Sequence, residues 1–367
     1  MKVLFLTNIP SPYTTNFFNE LGKSVDLTVV YERERAADRS SSWGDGEIIN
    51  FKKIVLKGLK KGNEQSLSFG ILKHLKRNYD YIILGSFTTP TGILAVLWMK
   101  LFRIKYSLFS EGGIAKNGKG IKELIKKIII RRANLYLSSC KLGDEYFVQY
   151  GADKDKIRRI IFTTLYEHDI EPNADFIENR TNNIPKLIAV GRFIESKGFM
   201  GLIEVSREIN KDYPHELHIV GSGTEKDKYI NYINDYKLNN IYVIDQLDKD
   251  ALLKYYRESD IFVLPTKSDT WGLVIIEAMS QGLPIITTNT CVAGREFVDQ
   301  NSGLLYDYSN LIELKNSLVQ LINDNKLMKQ LSYNNYIKMK DYTFENMVKG
   351  HLDILNSEYK KRLTRTK

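Results

Sequence analysis

From Val3 onward, short apolar runs alternate with segments of helical period, and nothing else in the chain restricts its architecture so strongly. Val3–Thr7, Val25–Tyr31, Phe51–Leu56, Tyr81–Gly85, Lys105–Phe109, Leu135–Ser138 and Lys156–Phe162 read as strands. Thr14–Leu21, Ser66–Lys76, Pro90–Arg103 and Lys141–Tyr150 read as the helices between them. A β-helix-β rhythm of this kind predicts a parallel sheet. It pauses at 173–185, a stretch of linker composition, and restarts at Lys186–Val190. Strands follow at His215–Val220, Ile241–Ile244, Asp260–Leu264, Ile285-Ile286 and Leu304–Tyr306. Helices follow at Phe199–Asn210, Lys226–Tyr236, Lys249–Ser259, Leu311–Asn323, Lys326–Lys338 and Thr343–Leu363. The expectation is an α/β chain of two Rossmann-like, doubly wound parallel-sheet domains facing across a cleft. The first would span 1–172, the linker 173–185, and the second 186–342. A C-terminal helix over 343–367 could cross back to the first. A chain of 367 residues is long enough to give each domain its own core.

Composition removes several classes. Two cysteines, Cys140 and Cys291, are too few for a disulfide framework or a zinc site, and they fit a reducing compartment. The N-terminus runs straight into a strand pattern and does not read as a signal peptide. Tyr81–Met99 is uncharged but broken by Gly85, Pro90, Gly92 and polar residues, which argues against a membrane span. The five histidines show no metal spacing, and no metal or cofactor is expected. The net charge of +9 is uneven. Residues 1–170 hold 28 Lys and Arg against 17 Asp and Glu, leaving 25 against 27 for the remainder. A basic first half suits an anionic surface or substrate, although a solvated lysine-rich surface gives the same composition. Within that half, the stretch Lys116–Arg132 repeats Ile121, Leu124, Ile125, Ile128 and Ile129 at helical spacing. Lys122, Lys126, Lys127, Arg131 and Arg132 fill the other face. A basic amphipathic helix can lie on an anionic bilayer or be an ordinary domain helix. No motif points to nucleic acid.

In doubly wound sheets, ligands sit beyond the carboxyl ends of the strands. Four second-half strands end in polar or glycine-containing turns: Gly191-Arg192, Gly221-Ser-Gly223, Asp245-Gln246-Leu247 and Pro265–Gly272. Arg192 and Lys197 lie in a glycine-flanked turn before a helix, which suits phosphate oxygens. Asp269 precedes the helix that carries Glu277, and open backbone N–H groups at Gly272 and Leu273 would stand at its positive end. Gly221-Ser-Gly223 lacks the spacing of a dinucleotide fingerprint.

Taken in order, Gly191-Arg192…Lys197-Gly198, Ile219-Val-Gly-Ser-Gly223, Ser259–Pro265 and Asp269-x7-Glu277-Ala-Met-Ser-Gln-Gly-Leu-Pro284 resemble the retaining glycosyltransferases of family 4, which have the GT-B fold. The resemblance implies that Arg192 and Lys197 grip a donor diphosphate and that Glu277 accepts hydrogen bonds from ribose hydroxyls. It places Asp269 beside the donor sugar, where the family usually has Glu. It gives Thr270, Trp271, Gly272 and Leu273 to the loop whose backbone contacts sugar and phosphate, counts Gly221 among the donor-binding positions, and puts Gln246 and Leu247 at the nucleobase. Trp271 replaces the usual Phe, and the first turn, Asn8–Tyr13, lacks a Gly-Gly loop. Glu111, at the end of a first-half strand, is the candidate for acceptor-side work, and with Asp269, Arg192 and Lys197 completes the expected catalytic set.

The expected activity is retaining, metal-independent transfer of a hexosyl or N-acetylhexosaminyl group from a UDP- or GDP-sugar. The acceptor would be a hydroxyl of a glycan or lipid-linked molecule in bacterial surface polysaccharide synthesis. The protein would be cytoplasmic, peripheral to the inner face of the cell membrane. A non-catalytic nucleotide- or glycan-binding protein on the same scaffold, and a nucleotide-sugar epimerase, are the alternatives.

Overall fold

The computed structural model describes residues 1–367 apart from 36–45, 63, 114–117, 119, 172, 179, 181 and 366–367, and apart from the side chains of 362, 363 and 365. The chain divides into two units, Met1–Thr163 with Phe344–Lys367, and Thr164–Thr343. Residues 164–185 thus belong to the second unit and the terminal helix to the first.

Unit 1 holds β1 (Lys2–Thr7), β2 (Asp26–Tyr31), β3 (Lys52–Val55), β4 (Leu59–Lys61), β5 (Gln65–Leu67), β6 (Tyr81–Leu84), β7 (Ser107–Ser110), β8 (Leu135–Ser138) and β9 (Ile157–Arg159). Its helices are α1 (Pro12–Gly22), α2 (Pro90–Leu101), α3 (Ile121–Ile130) and α4 (Lys141–Gln149). Seven strands form one sheet in the order β3-β2-β1-β6-β7-β8-β9, every pair parallel. Strands β1, β6, β7 and β8 are almost wholly buried, as expected when helices cover both faces.

Unit 2 opens with the single turn α5 (Asp175–Glu178). It continues with β10 (Lys186–Val190), α6 (Phe199–Ile209), β11 (Glu216–Val220), α7 (Lys226–Asp235), β12 (Ile241–Ile244), α8 (Lys249–Arg257) and β13 (Ile261–Leu264). It closes with α9 (Leu273–Ser280), β14 (Ile285–Thr288), α10 (Val292–Phe297), β15 (Gly303–Tyr306), α11 (Leu311–Asn323) and α12 (Asn325–Met339). The sheet order is β12-β11-β10-β13-β14-β15, again all parallel. Both units therefore start at a central strand, wind outward on one side, then cross to the other. The switch falls between β1 and β6 in unit 1 and between β10 and β13 in unit 2. This is the doubly wound pattern, in which the switch point is where the loops part.

The terminal helix α13 (Phe344–Arg365) is tied to unit 1 through named contacts. The Tyr81 hydroxyl donates to the Leu355 carbonyl at 2.7 Å, and Arg158 pairs with Glu358 at 3.0 Å. Buried His351 lies between the rings of Phe17 and Phe109, and that burial lowers its pKa to about 4, so it sits there neutral.

One sequence reading needs correction and one element was not foreseen. Ser66–Lys76 is not an α-helix: β5 pairs antiparallel with β4, and a short 3-10 turn over Phe69–Lys73 follows. The Thr91 hydroxyl, which donates to the Ser66 carbonyl at 2.6 Å and accepts from the Ser68 amide at 3.1 Å, fixes that backbone from α2. Helix α10 was not expected, because its six residues are too few to show a period. α3 forms where the helical spacing predicts, with Ile129 and Ile130 buried and Ile121, Leu124 and Ile128 exposed. Lys116 and residues 117 and 119 of that basic stretch lie outside the described residues.

Candidate functional site in unit 2

The site grows from the loops on the two sides of the β10/β13 switch. The β10 loop, Gly191–Gly198, and the β13 loop, Pro265–Gly272, are joined backbone to backbone. The Lys267 amide and the Thr266 hydroxyl both donate to the Ser196 carbonyl, at 2.8 and 3.1 Å. The β14 side fixes the second loop: Thr288 Oγ1 donates to the Thr266 carbonyl at 2.7 Å, and the amides of Val292 and Ala293 donate to the carbonyls of Asp269 and Trp271. With both backbones held, their side chains meet. The Lys197 ammonium donates to Asp269 Oδ2, the two side chains being only 14% and 19% exposed. Arg192 stands exposed at the exit of β10. The sequence thus placed a cation and a carboxylate 72 positions apart, and the switch point makes them an ion pair.

Helix α9 starts at this junction. Gly272 occupies its N-cap with φ +94°, a left-handed conformation that a side chain strains. A Cβ there would also lie 2.8 Å from the Cys291 sulfur. No side chain caps the helix, so its positive end is left to the loop space. Thr270 is exposed and Leu273 half-buried beside it. Trp271 does something else: its ring is 4% exposed and packs edge-on against Phe297 at 6.0 Å. Its amide donates to Asp269 Oδ1 at 3.3 Å. The indole therefore anchors the loop from beneath. Burial, then the Asp269 carboxylate, pushes the Cys291 thiol up to about 12, so it is no nucleophile at neutral pH.

Glu277, one turn into α9, is oriented by groups that no local pattern marks. Thr164 Oγ1 donates to Oε1 at 2.8 Å and the Tyr256 hydroxyl to Oε2 at 3.4 Å. Loss of hydration raises the Glu277 pKa; the Thr164 bond, the charge of Lys249 and the Tyr256 bond oppose that rise. Lys249, at the start of α8, pairs with Asp169. Segment 164–171 thus forms a collar around α9, and Gln281 extends it by donating to the Asp169 carbonyl at 3.0 Å.

The glycines after β11 serve close approach. A Cβ at Gly221 would stand 1.9 Å from the Gly191 carbonyl oxygen, and the Phe193 amide donates to the Ser222 carbonyl at 2.7 Å. That leaves Gln246 exposed and Leu247 half-buried after β12, with Ser222 Oγ donating to Gln246 Oε1 at 3.4 Å. Arg192, Lys197, Gly221, Gln246, Leu247, Asp269–Leu273 and Glu277 all belong to carboxyl-terminal strand ends of unit 2 or the helix that follows. Glu111 belongs to unit 1, half-buried just past β7, where its carbonyl accepts from the Ser139 hydroxyl. Among the described residues, no group of three or more His, Cys, Asp or Glu is placed to hold a metal ion.

A fold of two parallel doubly wound sheets, with this set of loops in the second, is that of the GT-B class. HepE of Anabaena, solved in complex with UDP, superposes with a TM-score of 0.72 at 16% identity, covering 97% of this chain and 100% of that one. Residues 171–338, which contain Arg192, Lys197, Gly221, Gln246, Leu247, Asp269–Leu273 and Glu277, match the family model described as glycosyl transferases group 1. An uncharacterised glycosyltransferase of Haemophilus influenzae is 31% identical over 49% of this chain, and the match spans half (50%) of that protein's length. The amylovoran biosynthesis glycosyltransferase AmsD of Erwinia amylovora is 28% identical over 76% of this chain and 81% of its own.

Proposed function

We propose that this chain is a retaining, metal-independent glycosyltransferase of family 4. It moves a hexosyl or N-acetylhexosaminyl group from a UDP- or GDP-sugar to a hydroxyl of a glycan or lipid-linked acceptor in bacterial surface polysaccharide synthesis. The observation that carries this reading is the Lys197–Asp269 pair at the uncapped start of α9, with Glu277 held on the same helix. The match of that region to group 1 glycosyltransferases, the UDP complex of the similarly folded HepE, and the likeness to AmsD, an amylovoran biosynthesis glycosyltransferase, support it.

The roles follow from the chemistry of each group. Glu277 accepts hydrogen bonds from the nucleotide's ribose hydroxyls. Arg192, Lys197 and the α9 end take the diphosphate, so that Lys197 exchanges Asp269 for phosphate oxygens. Phosphate oxygens replace the carboxylate as a charge-assisted acceptor, so Lys197 is not left unpaired by the exchange. Asp269, released, is free to accept from hydroxyls of the donor sugar. As the bond from the anomeric carbon to phosphate oxygen breaks, negative charge grows on the leaving diphosphate. The two cations and the helix end stabilise it. The acceptor oxygen attacks from the side the phosphate leaves, and its proton passes to a departing phosphate oxygen. Glu111 acts on the acceptor.

The test is release of nucleoside diphosphate across a panel of UDP- and GDP-sugars with candidate acceptors. One donor is expected to be turned over, with transfer sharply reduced in Arg192→Ala and Glu277→Ala. Binding without turnover of any donor, or near-normal turnover in either variant, contradicts the assignment.

A further inference from the structure

Glu277 is held by a residue that precedes the second sheet altogether. Thr164 is the first residue of unit 2, directly after the last residue of the sheet-bearing part of unit 1, and it lies before the stretch 171–338 matched to the glycosyltransferase family. Its hydroxyl donates to Glu277 Oε1 at 2.8 Å, while the Tyr256 hydroxyl donates to Oε2 at 3.4 Å. Tyr256 is buried on α8. Burial, then the charge of Glu277, pushes its hydroxyl well above the ordinary range, so it stays a donor. Thr164 has no such helix beneath it. Residues 164–171 contain no strand and no α-helix, only the 3-10 turn Glu167–Asp169.

A side chain on such a segment can orient another only if the segment is itself fixed, and this one is. Leu165 and Ile170 are buried. Asp169 Oδ2 accepts from the Tyr166 amide at 2.6 Å and from the Lys249 ammonium, which also stands 5.0 Å over the Tyr166 ring. The Asp169 carbonyl accepts from Gln281 Nε2 at 3.0 Å, and the Glu171 carbonyl accepts from the Tyr336 hydroxyl at 2.8 Å. Lys249, Gln281 and Tyr336 belong to α8, the end of α9 and α12, so three helices of unit 2 hold the segment.

The two hydroxyls leave Glu277 with a definite capacity. An ionised carboxylate offers about four acceptor positions, two on each oxygen. Thr164 and Tyr256 take one on each, which leaves one on each for two adjacent hydroxyls of a ligand. A glutamate side chain also surrenders rotamer freedom when it engages a ligand, and one already held from both sides surrenders less.

From this geometry we propose that Thr164 is a positioning residue of the nucleotide site, acting through Glu277 to set the affinity for ribose. This role rests on the reading of Glu277 as the ribose ligand. It extends the nucleotide site to the connector that leads out of unit 1.

Calorimetric titration of the full-length protein with UDP, GDP and their nucleosides tests it. Thr164→Val keeps the side-chain shape and removes the donor. It should weaken binding of the preferred diphosphate by about 10-fold or more, as expected for one hydrogen bond to a charged group. The nucleoside should weaken by the same factor, because the phosphate-binding residues are untouched. Thr164→Ser should restore both. In a Glu277→Ala background, Thr164→Val should cost little further affinity, since the group it acts through is gone. Acidification supplies a second readout. Burial raises the Glu277 pKa, the Thr164 bond, Lys249 and the Tyr256 bond oppose the rise, and Asp169 adds to it. Affinity in Thr164→Val should therefore begin to fall at a higher pH than in the parent. Parent-like affinity in Thr164→Val, an equal loss in the Glu277→Ala background, or a loss that Thr164→Ser does not restore overturns the proposal. Failure of the parent to bind either diphosphate overturns instead the reading of Glu277 beneath it.

Discussion

The two sheets share a strand order, so the helices beside their switch points can be compared directly. In unit 1, α1 follows the central strand β1 and α2 follows β6. Both helix starts are closed by their own chain. Ser11 accepts from the Thr14 amide while Thr14 Oγ1 accepts from the Ser11 amide, and Thr89 accepts from the Gly92 amide at 3.0 Å. In unit 2, α6 follows β10 and α9 follows β13. Both begin at left-handed glycines, Gly198 and Gly272, with no side-chain cap. Other helices of unit 2, such as α8, α11 and α12, are capped by Asp248, Asn310 and Asp324. Helices α7 and α10 also lack a side-chain cap, so what sets the switch point apart is the pair of uncapped, glycine-started helices beside which Lys197 and Asp269 meet. An uncapped helix start with a cation beside it is a place where anion binding supplies what a side chain supplies elsewhere.

Breaking that asymmetry gives a ranked set of outcomes. Lys197→Ala should lower diphosphate release by about 10²–10³-fold, the loss typical of one fixed donor to a developing anion. Its secondary structure, read by circular dichroism, should be retained. Glu277→Ala should weaken nucleotide binding by about 10–100-fold, since hydrogen bonds to a charged group are worth about 1.5–3 kcal/mol; titration calorimetry reads this. Ser11→Ala should cost about 1 kcal/mol of stability and leave nucleotide affinity alone. Gly272→Ala, its counterpart in unit 2, should also lose about 1–2 kcal/mol through left-handed strain, but with a measurable loss of affinity. Thermal melts with and without nucleotide separate the two.

The smallest effect is a pH dependence. The raised pKa of Glu277 means that it takes up a proton at higher pH than an ordinary glutamate. Ribose hydroxyls need the ionised form, so affinity should decline as pH falls toward that raised value, and Glu277→Gln should flatten the curve. For stability the sign is opposite. The cost of an ionised, desolvated Glu277 is present above its folded pKa and fades as pH falls to the ordinary glutamate value. Melts of wild type and Glu277→Gln across that interval check the sign.

Much of this was legible in the residues. Leu135–Ser138, Lys186–Val190, Ile241–Ile244 and Leu311–Asn323 fold with the bounds their patterns predict, because turn or cap residues flank each one. The four turns at the carboxyl-terminal strand ends of unit 2 were legible for the same reason: each follows a short apolar strand. Their partners were not. Thr164 reaches Glu277 from 113 positions away and Tyr256 from 21, and no local pattern encodes a contact of that separation. Trp271 shows the same. Its place in the motif concerned its backbone, and the sequence did not say where its ring goes: tertiary packing on Phe297 puts it in the core. Helical period in α3 identified the helix but could not say which apolar stripe faces the sheet.

Calorimetric titration with UDP and GDP, each compared with its nucleoside, measures whether the uncapped switch point binds the diphosphate. One diphosphate should bind at least ~10-fold more tightly than its nucleoside, about 1.4 kcal/mol, and Lys197→Ala should remove that margin. Equal affinity for nucleoside and diphosphate, or a margin untouched by Lys197→Ala, would contradict it.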